Sequence, residues 1–393
     1  MIQKIMDEIY SVGVKDWDRR LFDELIPLPD GTSYNAYIIK GKEKIALIDT
    51  VEPIFFEELF KNLKQMNLTH LDYVIINHAE GDHAGSLPQL LENYPELKAV
   101  TNQKCKEIIM ALMHIPEERI MVIDDGDILD LGDITLQFLM TPWVHWPETM
   151  LTYIPEKKIL FPCDFFGSHL ATSELYVNDN AKFLSAAKRY YAEIMMPFRK
   201  LIQKHLKKLE DYEIEIIAPS HGPLQSNPSI ILDAYKDWTS DEVKNEVAIP
   251  YISMYGSTEK LVLALVDELI ERGITVKPYR ITRTDIGELA MGLVDVATIV
   301  IGSPTVLGGP HPVVAYAAIL ANAIRPKAKF ASIVGSYGWK GQMVEQIAGM
   351  IGNLKVEVLP PVVINGKPRE ADYKEIERLA EDIYNKHKEL GIL

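Results

Sequence analysis

The sequence predicts two domains, an α+β domain built as an αββα sandwich and a doubly wound α/β domain with a parallel sheet. A chain of 393 residues is too long for one continuous core and suits two domains. Short β-rich runs follow one another closely from residue 34 to about residue 218, which favours antiparallel-rich sheets with covering helices. From residue 247 strands and helices alternate, and apolar runs such as ATIVIG and FASIVG are typical of a parallel sheet buried on both faces.

The strands of the first domain are predicted from runs rich in β-branched and aromatic residues. These runs are NAYIIK, KIALIDT, YVIINH, LKAVT, IMVID, ITLQFLM, MLTYI, KILFPCD and IEIIAPSHG. Helical patterns cover residues 53–65 and 181–208. Residues 223–246 are polar, with two prolines and one short helical pattern, and we interpret them as a linker. The predicted domains are therefore 1–246 and 247–393.

The second domain is predicted to contain five β-α pairs. Its strands are VAIPYISM, TVKPYRI, VATIVIG, KFASIVG and VEVLPP. Its helices cover residues 259–272, 286–294, 312–324, 341–351 and 370–390. A doubly wound fold of this kind binds its ligand at the carboxyl ends of the strands.

Composition limits the function classes. The formal charge of −15 argues against nucleic acid as the main partner. No apolar stretch approaches the ~18 residues that span a bilayer, and the N-terminus lacks an apolar signal region, so we expect a cytoplasmic protein with no membrane partner. The two cysteines are too few for a disulfide framework or a thiolate metal cluster. Any metal must be held by histidine and carboxylate.

Metal-competent side chains follow several predicted strands of the first domain. The loop HAEGDH after YVIINH contains four of them, and three more stand at later strand ends. Such loops can direct side chains at two neighbouring ions. The alternative is a solvated loop with structural histidines and aspartates. The candidate ligands are His78, Glu80, Asp82, His83, His145, Asp164 and His221.

A candidate phosphate site opens the second domain. The first strand ends in hydroxyl groups and a glycine, and a helix follows whose unpaired N–H groups attract an anion. The residues are Ser253, Met254, Tyr255, Gly256, Ser257 and Thr258. The segment lacks both the G-x-G-x-x-G spacing and the P-loop lysine, which favours a phosphomonoester cofactor. An ordinary capped β-α turn is the alternative.

Two further strand-end loops could hold a planar ring. Their glycines let the backbone approach a ring closely, and Tyr337 or Trp339 could stack on it. The residues are Ser303, Pro304, Thr305 and Gly308 in one loop, and Ser336, Tyr337, Gly338, Trp339 and Gly341 in the other.

These motifs resemble two known families. Residues 34–223 resemble the metallo-β-lactamase superfamily, whose zinc hydrolases carry a second histidine where this chain has Glu80. A carboxylate there makes the site harder and more anionic, which favours redox-active iron over zinc. The C-terminal domain resembles flavodoxin, and this resemblance implies FMN, with its phosphate at residues 253–258. The loop 305–312 is richer in Gly and Pro than is typical of that family.

Together the two domains resemble the flavodiiron proteins, in a short form with no further domain after Leu393. The resemblance implies that His78, Glu80 and His145 hold one iron. The resemblance implies that Asp82, His83 and His221 hold the second iron. It also implies that Asp164 bridges the two irons. Trp146 and His169 are candidate pocket residues.

The resemblance also implies the reaction. Family members reduce O2 to water, NO to N2O, or both, and two Fe(II) with one reduced FMN hold the four electrons that O2 requires. The implied donor is rubredoxin or a reduced deazaflavin coenzyme, and the implied assembly is a head-to-tail homodimer or a dimer of dimers. The sequence does not distinguish O2 from NO. Two competing hypotheses are a zinc hydrolase with a flavodoxin-like appendage and a non-catalytic redox sensor or electron carrier.

Overall fold

The computed structural model describes residues 2–68, 70–339 and 341–393. The chain divides into two compact units. Unit 1 comprises Met1–Tyr191 and Phe198–Thr239, and unit 2 comprises Ala192–Pro197 and Ser240–Leu393. The domain boundary at residue 246 stays a prediction; the first long strand of unit 2 begins before it, at Lys244. In the described part of the chain, no helix is both long and apolar enough to cross a membrane.

Unit 1 contains short strands and seven α-helices in its described residues. The strands are β1 (Gln3–Met6), β2 (Ile9–Ser11), β3 (Val14–Asp16), β4 (Leu21–Phe22), β5 (Ile26–Pro27), β6 (Thr32–Tyr34), β7 (Tyr37–Lys40), β8 (Ile45–Ile48), β9 (Tyr73–Ile75), β10 (Lys98–Thr101), β11 (Ile120–Val122), β12 (Ile128–Asp130), β13 (Thr135–Met140), β14 (Met150–Ile154), β15 (Ile159–Phe161) and β16 (Ile216–Ile217). The helices are α1 (Phe56–Gln65), α2 (Gly81–Ala84), α3 (Leu87–Asn93), α4 (Gln103–Met113), α5 (Asn180–Tyr190), α6 (Arg199–Leu209) and α7 (Pro228–Thr239).

Two sheets form the sandwich. Their strand orders are β1-β2-β7-β8-β9-β10-β11 and β12-β13-β14-β15-β16. Ile38 and Leu47 belong to a hydrophobic cluster that includes residues of α1, α3 and α4. Their neighbours Ile39 and Ile48 belong to a second cluster, shared with the other sheet. Because successive strand residues point to opposite faces, the first sheet is buried on both sides, and the predicted α+β sandwich is confirmed.

Three local predictions for unit 1 differ from the structure. The strands β1 to β6 precede the predicted sandwich and were missed, because runs of two to four residues with interspersed charges carry no clear alternation. The helical stretch 181–208 is interrupted after α5, where Pro197 cannot donate a backbone hydrogen bond. The supposed linker contains α7, whose Ile231, Tyr235 and Trp238 are buried at helical spacing.

Unit 2 has the doubly wound arrangement that the sequence predicts. Its strands are β17 (Lys244–Tyr251), β18 (Thr275–Arg280), β19 (Val296–Val306), β20 (Gly309–Pro310), β21 (Phe330–Tyr337), β22 (Glu357–Val358) and β23 (Val362–Asn365). Its helices are α8 (Ser257–Glu271), α9 (Ile286–Leu293), α10 (Pro312–Ile324), α11 (Met343–Met350) and α12 (Glu370–Glu389). The parallel order β18-β17-β19-β21-β22 is that of flavodoxin-like sheets. The predicted fifth strand, VEVLPP, contains only the short strand β22, and β23 follows directly after it; both strands pair with β21.

A buried histidine joins α12 to the central strand of unit 2. His387 Nδ1 donates to Asn245 Oδ1 at 2.8 Å, and Thr298 Oγ1 donates to His387 Nε2 at 2.8 Å. Both ring nitrogens are therefore satisfied in the neutral form. Burial lowers the pKa of His387 to about 4.

The stability of unit 2 is therefore expected to depend on His387 at acidic pH. An unfolded histidine has a pKa of about 6.5, so this contribution is complete above that pH and is lost as the pH falls through about 4. A glutamine can make both hydrogen bonds without titrating. We expect His387→Gln to remove up to about 3 kcal/mol of the acid-induced loss in the free energy of unfolding. Urea unfolding at several pH values measures this, with exposed His70→Gln as control. Equal pH dependence in His387→Gln and the native chain would contradict it.

Candidate metal centre and flavin site

The predicted metal ligands come together at one edge of the two sheets of unit 1. His78 follows β9, His145 lies between β13 and β14, and Asp164 and His221 follow β15 and β16. Strand directions place the end of β13, the start of β14 and the ends of β15 and β16 at the same edge. The sheets are joined there because Met150 N–H donates to Asn77 O at 3.0 Å. Residues far apart in sequence therefore surround one point.

One group of donors surrounds Glu80. Its Oε2 lies 3.0 Å from His78 Nε2 and 3.1 Å from His145 Nε2. Asp164 Oδ2 lies 3.3 Å from His145 Nε2 and 3.6 Å from His78 Nε2. All four side chains offer ligand atoms within 4.8 Å of one another. Two imidazoles and two carboxylates thus converge on a space suited to one cation.

A second group of donors lies on the other side of Asp164. Asp164 Oδ1 lies 3.0 Å from His83 Nε2 and 3.3 Å from His221 Nε2. Asp82 Oδ2 lies 3.2 Å from His221 Nε2, and Asp82 Oδ1 lies 3.3 Å from His83 Nε2. The two oxygens of Asp164 therefore face different groups, as expected of a residue shared by two ions. His83 stands within the second group.

Unpaired buried atoms show that these donors fit a metal. Asp82 and Asp164 are buried, and neither oxygen of either carboxylate makes a hydrogen bond among the described residues. His83 Nε2 is equally unpaired. Buried carboxylates without partners cost several kcal/mol, on the order of the desolvation of an ion, unless a cation compensates them. The mixture of imidazole and carboxylate suits iron as well as other divalent ions.

Mutual attraction between the donors sets their protonation. Burial by itself lowers the pKa of His145, but the nearby carboxylates of Asp164 and Glu80 outweigh burial and raise it to about 9. Asp164 and Asp82 similarly raise the pKa of His221 to about 10 against the effect of burial. Burial raises the pKa of Asp164, but the histidines outweigh it and hold this pKa well below its usual range. A cation that enters the site must therefore displace protons from the histidines.

Several residues that hold the ligands, or the segments next to the ligands, were missed in the sequence. Glu148 accepts from His78 Nδ1 at 2.7 Å, and Ser33 O accepts from His221 Nδ1 at 2.6 Å. Asp49 accepts from Asn77 N–H at 2.9 Å at the end of β8. Asp49 is the second-last residue of the predicted strand KIALIDT, so the same strand-end signal that identified Asp164 could have found it. The main-chain role of Ser33 has no sequence signal.

The two candidate pocket residues lie beside the ligands. The ring of Trp146 packs edge-on against His78 with centroids 5.0 Å apart. The ring centroid of His169 is 4.9 Å from that of His221, and its Nδ1 lies 2.8 Å from Thr32 Oγ1. Burial, together with the nearby His221, keeps the pKa of His169 well below its usual value. The imidazole of His169 is therefore neutral.

The second site is a cleft of about 440 Å³ at the carboxyl edge of the sheet of unit 2. A volume of this size suits a small cofactor. It brings together residues from all three predicted loops. The lining residues are Ser253, Met254, Tyr255, Ser257, Thr258, Pro304, Thr305, Ser336, Tyr337, Gly338, Trp339, Gly366 and Lys367.

The start of α8 has the geometry expected of the predicted phosphate site. Gly256 precedes the helix with φ +86°, a conformation that favours glycine, and no side chain caps the first turn. The N–H groups of the first turn therefore remain available to an anion. Gly256 N–H donates to Ser253 Oγ at 3.1 Å, which shapes the loop. Thr258 Oγ1 lies 3.0 Å from Ser336 Oγ, so the first and third loops are joined.

Four predicted flavin-site residues stand outside the lining of the cleft. Gly256 shapes the start of α8 as described. Ser303 is buried, and its Oγ accepts from His311 N–H at 3.0 Å. Gly341 and Gly308 approach each other so closely that a Cβ on Gly341 would lie 2.4 Å from Gly308 O. These glycines therefore join two loops. Gly366 and Lys367, which follow β23, were missed because that strand end carries no ring-binding or phosphate-binding pattern.

Trp339 is one of three aromatic residues among those that line the cleft, with Tyr255 and Tyr337. It is 70% exposed although its neighbours form a cleft. Stacking of an aromatic side chain on a planar ring contributes roughly 1–3 kcal/mol. We expect Trp339→Ala to weaken FMN binding about tenfold, measured by quenching of flavin fluorescence. Trp17→Ala, at a tryptophan 52% exposed in unit 1, is the matched control. Unchanged FMN affinity in Trp339→Ala would exclude stacking on this residue.

Comparison with known proteins agrees with this architecture. Residues 32–222 match the ODP family beta lactamase profile, and residues 249–379 match flavodoxin. The chain is 34% identical to a nitric oxide reductase of Moorella thermoacetica, over 96% of this chain and 97% of that protein. It is 33% identical to a coenzyme F420H(2) oxidase of Methanothermobacter marburgensis, over 88% of this chain and 90% of that protein.

Two solved structures are similar over almost the whole chain. The rubredoxin oxygen:oxidoreductase of Desulfovibrio gigas superposes with a TM-score of 0.94 at 29% identity, covering 99% of each chain. The flavodiiron protein of Giardia intestinalis superposes with a TM-score of 0.91 at 28% identity, covering 98% of this chain and 96% of that one. A β-lactamase-type sandwich with a carboxylate-rich donor set and a flavodoxin-type sheet in one chain define a distinct class of protein. The chain belongs to the flavodiiron protein family.

Proposed function

We propose that this chain is an oxidoreductase that reduces O2 to water, NO to N2O, or both, at a non-haem diiron centre supplied with electrons through FMN. The observation that carries the proposal is the position of Asp164, whose two oxygens face two separate groups of donors. Glu80 gives the first group a carboxylate where a zinc hydrolase has an imidazole, which favours iron. The nearly full-length similarity to proteins named nitric oxide reductase and rubredoxin oxygen:oxidoreductase supports the same reaction.

The proposed ligands divide as the donor groups do. His78, Glu80 and His145 would hold one iron, and Asp164 would be shared between the irons. Asp82, His83 and His221 would hold the other iron, in the arrangement described above. When bound, two Fe(II) and one reduced FMN supply the four electrons that reduction of O2 to two waters requires.

The residues of this chain also control the surroundings of the reaction. The ring centroid of Phe22 lies 5.1 Å from that of His169 and 6.3 Å from that of His221. The ring of Trp146 packs edge-on against that of His78. Aromatic walls limit the access of water and lower the local dielectric, which strengthens the charge interactions of the site. The cleft of unit 2 would hold the FMN phosphate at the start of α8.

The donor, the assembly and the location belong to the same proposal. We propose rubredoxin or a reduced deazaflavin coenzyme as donor, since relatives are named for rubredoxin and for coenzyme F420H(2). We also propose a head-to-tail homodimer or a dimer of dimers, which would bring the flavin of one chain near the irons of another. A cytoplasmic location is in keeping with the buried, unpaired Cys105 and Cys163.

The zinc hydrolase alternative is less well supported. Glu80 lies within 3.0 Å of His78 and 3.1 Å of His145, so a carboxylate occupies the first donor group. Hydrolysis at a zinc site also requires no phosphomonoester cofactor of the kind that the cleft of unit 2 would accommodate. The full set of seven donors likewise weighs against a sensor with a vestigial site.

Metal and flavin analysis tests the proposal. We expect about two irons and one FMN per chain after anaerobic purification, followed by consumption of O2 or NO with a chemically reduced donor. Oxygen-electrode and NO-electrode assays then compare the two gases, and rubredoxin and a reduced deazaflavin are compared as donors. Zinc without flavin, in protein expressed with sufficient iron, would overturn the proposal.

A further inference from the structure

Glu148 is a buried carboxylate bound to one half of the candidate metal centre. Its side chain has no exposed surface. Glu148 Oε1 accepts from His78 Nδ1 at 2.7 Å and from Ala79 N–H at 3.1 Å. Glu148 O accepts from Asn102 Nδ2 at 2.6 Å, which anchors the segment at the start of α4. Since the carboxylate is an acceptor, the proton of His78 lies on Nδ1, and Nε2 is directed at Glu80 and Asp164.

The two halves of the centre are otherwise matched in charge. Each half has two imidazoles and one carboxylate of its own, and Asp164 is common to both. The direct ligands therefore give neither ion an excess of negative charge. Any electronic difference between the ions must come from groups behind the ligands.

The groups behind the ligands do differ. In the second half, His221 Nδ1 donates to the neutral backbone carbonyl of Ser33 at 2.6 Å. His83 Nδ1 is buried and makes no hydrogen bond among the described residues. In the first half, His78 is backed by a charged carboxylate. A carboxylate that accepts from a ligand imidazole makes that imidazole a stronger electron donor than a carbonyl does.

We propose that Glu148 is a positioning residue that makes the two irons unequal, giving the ion held by His78, Glu80 and His145 the lower reduction potential. Stronger donation from His78, which is hydrogen-bonded to the Glu148 carboxylate, would favour Fe(III) over Fe(II) at that ion. With both irons bound, loss of one electron from the diferrous centre to a redox mediator would leave Fe(III) in the half held by His78 and Fe(II) in the half held by His221. This inference rests on the proposed diiron centre.

Redox titration of Glu148→Gln tests the inference. Glutamine keeps the shape and one acceptor oxygen for His78 but removes the charge. The titration gives the comproportionation constant, which expresses how far apart the reduction potentials of the two one-electron steps of the diiron centre lie. EPR of the half-reduced centre is then recorded. We expect two irons per chain and a comproportionation constant lowered at least about tenfold, which is the lower end of the roughly 10–100-fold change in metal affinity or activity caused by loss of an outer ligand partner.

Asp49→Asn is the matched control. Asp49 is also buried near the centre, but it accepts hydrogen bonds from Asn77 N–H at 2.9 Å, Asn77 Nδ2 at 3.1 Å and Ser220 Oγ at 3.3 Å, and neither residue is a ligand. Its removal is expected to change the comproportionation constant less than about threefold, because it is not bonded to a ligand imidazole. Glu148→Asp, which keeps the charge, is expected to keep more of the separation than Glu148→Gln does.

Each outcome for Glu148→Gln decides the inference. A variant with two irons and an unchanged comproportionation constant would overturn it. If the variant loses iron, dissociation constants from chelator competition replace the redox titration. Selective weakening of one iron by roughly 10–100-fold supports the inference, and equal weakening of both overturns it. An iron-free native chain would instead refute the proposed function, so the two failures are distinguishable.

Discussion

Asp164→Asn is expected to remove most of the bound iron and to lower the rate of O2 and NO consumption by on the order of 1000-fold, more than the roughly 10–100-fold cost of losing an outer partner. Asp164 faces His83 and His221 with one oxygen and His145 and His78 with the other. Asparagine has nearly the same volume but carries no charge, and its amide can present only one oxygen. Both donor groups therefore lose the carboxylate that they share.

Three measurements on Asp164→Asn separate loss of the centre from loss of the fold. Iron content and gas consumption are expected to fall, whereas FMN content is expected to stay near that of the native chain because the flavin cleft lies in unit 2. Asp18→Asn, at a fully exposed carboxylate, is the control for the charge change. Two irons per chain and a rate within tenfold of native in Asp164→Asn would rule out Asp164 as the shared ligand.

Ser257→Glu is expected to weaken FMN binding by at least about 100-fold. Ser257 is the first residue of α8 and lines the cleft where we place the phosphate. Like charges about 4 Å apart repel by about 4 kcal/mol at the effective dielectric of a protein surface. A glutamate in the first turn also interacts favourably with the helix dipole, by about 0.3–1 kcal/mol. The variant apoprotein is therefore expected to be as stable as the native apoprotein, or more so.

Ser257→Glu is informative because FMN binding is expected to weaken while the stability of the apoprotein is expected to stay the same or to rise. FMN affinity is measured by fluorescence titration of the apoprotein, and stability by thermal unfolding without FMN. Ser257→Ala is the control, and a loss of about tenfold or less is expected there, because only one hydroxyl is removed. Tight FMN binding in Ser257→Glu would place the phosphate elsewhere in the cleft.

Much of the fold could be predicted because the relevant signals are local. The alternation of strand and helix after residue 247 predicted the parallel sheet, since apolar strands and amphipathic helices have different periods. α10 is found at Pro312–Ile324, as predicted, where His311 caps the helix and a proline opens it. The first 34 residues were not predicted, because strands of two to four residues are specified by their partners more than by their own pattern.

The candidate metal ligands could be predicted for a similar reason. The motif at residues 78–83 concentrates donors after a strand, and strand ends meet at sheet edges. Glu148 lies 70 residues from His78, and its hydrogen bond depends on how β9 and the loop before β14 pack. Lys367 enters the flavin cleft only because β23 pairs with β21. Neither contact has a pattern within its own segment.

The sequence by itself determined which chemical groups are available and in what local order. It supplied four histidines and three carboxylates without the cysteines of a thiolate site, and hydroxyl and glycine residues before a helix. The tertiary structure decided how these groups are directed: one oxygen of Asp164 toward each donor group, and a carboxylate behind His78 where His221 has a carbonyl. The physical reason is that side-chain chemistry belongs to each residue, whereas direction and burial arise when distant strands pair and pack.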